Sequence, residues 1–400
     1  MLLRPGTLPL TLLLALLTGI GPLSVDMYLA ALPDIGRLLA APPAQVQLTL
    51  SFYLVGFAIG QVFYGPLSDR HGRRPVLLAA LALYVVTSLA CALAPSIELL
   101  ITARFFQAVG GAGTVVLARA VVRDIYEGAR VGRELSRMAS IMALAPIIAP
   151  LLGGVLQTFF GWRSNFVALT IFGVTAASMV WFLFPETLRQ RSPEPVSLMS
   201  TLRSYRVFAA HRSFVAHLGL STCCFVGLFT WIFTAAFVLQ DIYGLSPLAF
   251  GLTFAIGSAG YMLGTATASR FVVRWGINRM IGFGCAAMAA GGLLMVLVVL
   301  AGLNVAPPLV LAMALYLAGM GMVLPQAQAG ALLPFPHRAG AASSLLGLVQ
   351  QTAAAVLGAV IGHTLGQTAW PLAVCVAVAG CLALAIWAAT RKIRAAALLQ

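Results

Sequence analysis

Apolar stretches close to or longer than the ~20 residues needed to cross a bilayer follow one another along this chain. They run near 8–32, 46–66, 75–95, 97–119, 138–160 and 163–184, and again near 213–239, 248–268, 278–302, 307–328, 340–363 and 369–390. A helix satisfies its own backbone in lipid, so the pattern predicts an all-α polytopic membrane protein with twelve transmembrane helices. One long hydrophilic break, "PETLRQRSPEPVSLMSTLRSYRVFAAHR" at 185–212, divides the spans six and six. The expected organisation is a six-helix bundle at 1–184, a cytoplasmic linker at 185–212 and a second bundle at 213–400. Within the linker, "SLMSTLRSYRVFAA" predicts a short helix lying on the membrane surface.

Composition agrees with that pattern. Hydrophobic residues make up 61% of the 400 positions and charged residues 8%, where a soluble domain carries about 25% charged. The mean hydropathy is +0.99. The N-terminal "MLLRPGTLPLTLLLALLTGIGPLS" has Arg4 ahead of an apolar run too long for the core of a signal peptide, so it is read as the first span. With both termini in the cytoplasm, all of the 24 Lys and Arg except Arg37, Arg163 and Arg104 fall on the inner side. The net charge of +14 is then a topology signal, and no nucleic-acid partner is expected. The six cysteines sit singly or as one pair in apolar runs and the five histidines are scattered, so neither a metal site nor an enzyme's catalytic cluster is expected.

The two halves echo each other. A shift of 204 residues sets Gly56, Gly60, Arg70 and Gly72 on Gly260, Gly264, Arg274 and Gly276, and a shift of 208 sets "GAGTVV" on "GMGMVL". A duplicated six-helix unit follows, with the expected site at the interface of the repeats.

The densest charge lies between spans 2 and 3, in "GPLSDRHGRRP": Asp69, Arg70, Arg73 and Arg74, bracketed by Gly65 and Gly72. Gly65 would allow close approach where span 2 ends, and Gly72 suits a tight reversal. Asp69 is placed to meet Arg73, Arg123 or the N-terminus of span 11 after Pro336, where a carboxylate gains roughly 0.3–1 kcal/mol. The cluster is expected to act as a cytoplasmic gate.

This loop resembles the signature of the major facilitator superfamily. "SVDMYLAALP", "RFFQAVGGAG", "RDIY", "ALAPIIAPLLGG", "FPETL" and "FPHRAGAASSLLG" are similar to its Bcr/CflA branch of drug–proton antiporters. The resemblance implies two pseudo-symmetric bundles and export by alternating access, in a monomer of the bacterial inner membrane. The expected driver is the proton-motive force without a cofactor, and the expected partners are protons, lipid and a small-molecule substrate. In span 5 the antiporter-type motif is represented by Pro150, Gly153 and Gly154, with Ala145 and Ala149 where the family pattern has glycine.

Of the ten acids, the span map leaves only Asp26 well inside the bilayer, and an embedded acid is a functional hypothesis by default. At 1.5 Å per residue, Asp26 lies roughly 10 Å and Arg104 roughly 12 Å below the same outer surface. Their shared depth points to Arg104 as the partner of Asp26, with Gln107 on the same helix face. A change in their separation or hydration would load and unload a proton, and the resemblance implies that coupling role for Arg104. Ala312 takes the matching place in the second half.

The expected substrate wall is aromatic, from Tyr28, Phe52, Tyr53, Phe225, Phe229 and Trp231, with amides at Gln61, Gln107, Gln326, Gln328, Gln350 and Gln351. Such a surface suits an uncharged amphipathic molecule held by a few hydrogen bonds. The resemblance implies phenicol- or bicyclomycin-like drugs. An endogenous small metabolite exported by the same mechanism is the alternative.

Overall fold

The computed structural model describes residues 7–126, 129–142, 144–188, 205–303, 305–335, 339–364, 368–391 and 393–394, and among them there is no strand. Among the described residues eleven helical stretches are long and apolar enough to cross a membrane, and a shorter apolar helix, Ala145–Phe160, stands where the fifth span was expected. The chain divides into two compact units, Met1–Val196 and Ser197–Gln400.

In the first unit α1 (Leu8–Asp26) stops as an α-helix in mid-span. A turn at Met27 and Tyr28 leads into a short 3-10 turn, Leu29–Ala31, and then α2 (Leu32–Leu38). Pro33 explains the break: its ring would strike the Leu29 carbonyl in a continuous α-helix, and it offers no N–H to bond it. Next come α3 (Pro43–His71), α4 (Arg73–Ala92) and α5 (Ile97–Ile125). Ser96 caps α5 by accepting from the Leu99 N–H.

Two expectations change here. Span 2 was expected to end near residue 66, but α3 runs on to His71, so Gly65 is a mid-helix residue. A Cβ on Gly65 would meet only Val116 at 4.0 Å, so close packing does not demand glycine there. Gly72 does need it, because its φ is +103°. Span 5, expected from residue 138, begins earlier and is interrupted: α6 (Ala129–Met142) precedes α7 (Ala145–Phe160). Pro146 has no N–H to bond the Met142 carbonyl and its ring would strike that carbonyl in a continuous helix, which separates the two pieces. α8 (Arg163–Leu183) completes the unit.

The expected membrane-surface helix falls mostly outside the described residues, although 205–210 are helical. The second unit has α9 (Arg212–Ala236), a π-helical turn at Phe237–Ile242, α10 (Pro247–Trp275), α11 (Ile277–Leu300), α12 (Ala306–Leu332), α13 (Ala339–Thr364) and α14 (Trp370–Ala389).

The two units pack their helices in the same order. In the first, α5 lies against α3, α4 and α1, while α4 lies against α8. In the second, α12 lies against α10, α11 and α9, while α11 lies against α14. The repeated glycines carry this packing. A Cβ on Gly56 would sit 2.4 Å from the Phe105 carbonyl of α5, and one on Gly260 would sit 2.4 Å from the Ala314 carbonyl of α12. Small residues let backbones approach to van der Waals distance, which is how helices associate in lipid.

Candidate functional site

The break in α1 exposes polar backbone inside the first unit, and the side chains around it are arranged to meet it. Arg104 on α5 is fully buried. Its Nη1 donates to the Ser24 carbonyl at 2.9 Å and to Gln107 Oε1 at 2.6 Å. Ser24 lies in the last turn of α1, where carbonyls run out of helical N–H partners, so a side-chain donor can take the place of one. The guanidinium lies 4.3 Å from the Tyr28 ring centroid and 4.2 Å from that of Tyr53, with Phe166 beyond at 5.7 Å. Cation–π attraction of this kind offsets part of the cost of burying the charge.

A chain of hydroxyls supports that core. Gln107 Nε2 donates to Ser88 Oγ at 2.7 Å, and Ser88 in turn donates to the Tyr84 carbonyl. The Ser24 and Tyr84 hydroxyls share a 2.6 Å hydrogen bond, and those of Tyr28 and Thr49 one of 2.9 Å. Four of the sequence candidates, Arg104, Gln107, Tyr28 and Tyr53, are thus brought together. Ser24, Thr49, Tyr84, Ser88 and Phe166 join them without having been singled out.

Asp26 is buried at the end of α1, two residues from Ser24, yet it belongs to none of the ion pairs among the described residues. The direct meeting of Asp26 with Arg104 that depth suggested is not formed: the Ser24 carbonyl and the two tyrosine rings hold the guanidinium instead. Nε and Nη2 of Arg104 remain buried without a hydrogen-bond partner. Buried donors of a charged group are rarely left bare.

α7 shapes the same place. Met27 belongs to the break, and a Cβ on Gly153 would lie 1.7 Å from its carbonyl oxygen. Gly154 and Pro150 are buried beside it. The antiporter-type motif therefore forms the surface against which the broken part of α1 rests.

A second acid is buried that the span map had left in a loop. Glu134 on α6 is 2% exposed, accepts a hydrogen bond from Thr11 of α1 and pairs with Arg137 at 3.4 Å. Hydropathy started span 5 too late to include it. The signal available was the helical spacing of Arg130, Arg133, Glu134 and Arg137.

The loop between α3 and α4 builds a separate cluster. Buried Arg73 pairs with Asp69 at 2.5 Å and with Asp124 at 2.8 Å, and donates to Ser68 at 2.6 Å. Asp124, next to the Arg123 expected there, closes the cluster; Arg123 and Arg70 point to the exterior. Pro336 lies outside the described residues, so its expected meeting with Asp69 does too.

In the second unit Phe225 and Phe229 stack at 6.0 Å on one face of α9 and continue to Phe233. Trp231 faces elsewhere, against Phe254 of α10 at 6.0 Å. An apolar groove beside Val226 is lined by α13 through Leu348, Val349, Thr352, Ala353, Val356, Leu357 and Val360. Gln350 is buried with its Nε2 unpartnered, Gln326 is half-buried and Phe52 is exposed. No ion pair among the described residues of this unit corresponds to the Arg73 cluster, and Ala312 is buried where Arg104 has its counterpart.

A break in the first span, a buried arginine on the fourth and a charged loop after the second belong to the first of two helix units of equivalent packing. The sequence profile of the Major Facilitator Superfamily matches residues 14–359. The chain belongs to that superfamily. It is 31% identical over 371 residues to the chloramphenicol resistance protein of Pseudomonas aeruginosa, covering 91% of this chain and 86% of that one. It is 29% identical over 369 residues to the bicyclomycin resistance protein homolog of Haemophilus influenzae, covering 92% of each. An MFS-type transporter of Bacillus subtilis is 34% identical over 360 residues, 89% of each chain. Among solved structures, a D-xylose–proton symporter shares the fold with a TM-score of 0.75 at 16% identity, over 96% of this chain and 97% of that one. The protein is a multi-pass membrane transporter of the Bcr/CflA type, and not an enzyme.

Proposed function

We propose that this MFS protein exports small, uncharged, amphipathic drugs of the phenicol or bicyclomycin kind across the bacterial inner membrane in exchange for protons. The observation that carries the proposal is the bare Nε–Nη2 edge of Arg104, buried beside a helix break that begins just after Asp26, which is in no ion pair among the described residues. A guanidinium edge offers two parallel donors, the geometry that a carboxylate accepts. Ionised Asp26 is drawn to that edge, and the jointed chain from Met27 to Ala31 allows the movement without unfolding a regular helix. Protonated Asp26 loses the attraction and returns to the position seen here. Proton loading is thereby tied to the geometry of α1, and α7 follows because the Met27 carbonyl rests on Gly153.

The aromatic lining and the scarcity of embedded charge favour neutral substrates. Relatives named for chloramphenicol and bicyclomycin resistance support the same class. Exchange of a neutral drug for a proton moves net charge, so the membrane potential contributes about 2.3 kcal/mol per 100 mV. The lysine and arginine bias supports cytoplasmic termini.

Chloramphenicol retention in cells tests the proposal, comparing wild type with Asp26→Asn, each with and without a protonophore. Wild-type cells are expected to retain less drug, and both the variant and the protonophore should abolish the difference. Equal retention in all cells, with each protein verified in the membrane, would remove phenicols as substrates and turn the search to metabolites.

A further inference from the structure

The charged loop cluster is completed by a residue from the far end of the unit. Glu186, just beyond α8, accepts from the backbone N–H of Arg73 at 2.9 Å and of Arg74 at 3.2 Å, the first two residues of α4. It also accepts from its own neighbours Thr187 and Leu188, at 2.9 and 3.0 Å. One carboxylate thus receives four backbone donors, two of them the orphan donors that open a helix. Gly72 makes room for it: a Cβ there would lie 2.5 Å from Glu186 Oε2. The neighbouring contacts reach the same corner, since Thr187 donates to Asp124 at 3.2 Å and Arg74 Nη2 donates to the Trp181 carbonyl at 2.6 Å.

The second unit repeats the arrangement with different chemistry. At a shift of 208 from Glu186 stands Arg394, fully buried, whose Nη2 donates to Asn278 Oδ1 and to the Trp387 carbonyl, both at 2.9 Å. Asn278 is the second residue of α11, as Arg74 is of α4. In both units, then, the chain leaving the sixth span folds back onto the start of the third. Among the described residues, only in the first unit does that contact adjoin an ion-pair cluster. Val273 and Ile277 occupy the places of Asp69 and Arg73 at the shift of 204, and Val273 is 93% exposed.

We propose that Glu186 is the positioning residue of the cytoplasmic gate: by capping α4 it sets Arg73 between Asp69 and Asp124 and fastens the chain leaving the first bundle to the gate loop. The gating part of this rests on the transport reading above. Glu186 is exposed, so its contribution is to placement rather than to overall stability. A pull on the connector acts on α4, and a movement of α4 acts on both acids that hold Arg73.

Hydrogen exchange of the purified full-length protein in phospholipid nanodiscs tests this. In Glu186→Gln the amides of Arg73 and Arg74 should exchange about tenfold faster, the loss expected for one charge-assisted contact in a local opening. Gly72→Ala should expose the same amides, the double variant should expose them no further, and Glu186→Asp should restore part of the protection. Chloramphenicol retention should rise in Glu186→Gln to the level of Arg73→Gln. Unchanged exchange in Glu186→Gln, faster exchange throughout α3 and α5 as well, or normal export despite the faster exchange would each overturn the proposal. A wild type that does not lower chloramphenicol retention would instead remove the substrate proposed above, and the exchange comparison then decides alone.

Discussion

A guanidinium spreads its charge over a flat fork, and that of Arg104 lies over the rings of Tyr28 and Tyr53 while one nitrogen is tied to Ser24 and Gln107. A lysine ammonium would keep the charge but could neither lie flat over the rings nor present a two-donor edge. Arg104→Lys should therefore cut chloramphenicol export at least tenfold with an unchanged amount of protein in the membrane, read by retention and immunoblot. The hydroxyl of Tyr84 has a humbler part, holding Ser24. Tyr84→Phe should lower stability by about 1 kcal/mol, measured as a small fall in melting temperature in detergent, and leave most export intact. Residues of the first kind are visible in a sequence because a charge inside an apolar run is costly and conspicuous. Ser24, Thr49 and Ser88 are not, because hydroxyls recur in such helices and only the rotation of one helix against another decides which of them meet.

At the scale of the helix, the informative places are where a span departs from a straight rod. Pro33 breaks the first span, and Gly153 of α7 leaves space for the carbonyl that the break turns outward. Gly153→Ala forces a methyl group into that oxygen. It should destabilise the protein by about 1–3 kcal/mol and abolish export, checked by thermal melting beside drug retention. α6 is the other departure. Its Glu134 is buried against Thr11, so Thr11→Val removes a donor from a buried carboxylate at a cost of about 1–3 kcal/mol, again read by thermal melting. Hydropathy located the apolar core of each span but not its polar extension. That is why α6 was placed in a loop, and why α3 was expected to end five residues before His71, at residue 66. Asp124 was passed over for its neighbour Arg123 for a related reason: at a helix end, one residue of offset turns a side chain by about 100°.

Over the whole molecule, the same helix pairings occur in both units, yet the chemistry is concentrated in the first. Arg104 has Ala312 as its counterpart, the Arg73 cluster has Val273 and Ile277, and the Glu186 cap has Arg394 on Asn278. Duplication supplied the scaffold twice, and the polar core and the ionic corner belong to one copy. The internal repeat was legible from glycines at fixed shifts because those glycines are the contact points between helices. The direction in which each aromatic faces was not legible in the same way, since a sequence lists the aromatics of every helix face and leaves their orientation open. Trp231, facing Phe254, is the example.

In the proposed cycle the proton that drives export is carried on Asp26. Purified wild type and Asp26→Asn in proteoliposomes separate the movement of drug from its coupling. An imposed pH gradient should drive chloramphenicol accumulation in wild-type vesicles and not in the variant, while exchange of labelled for unlabelled drug without a gradient should persist in both. Gradient-driven accumulation that survives in Asp26→Asn would contradict it.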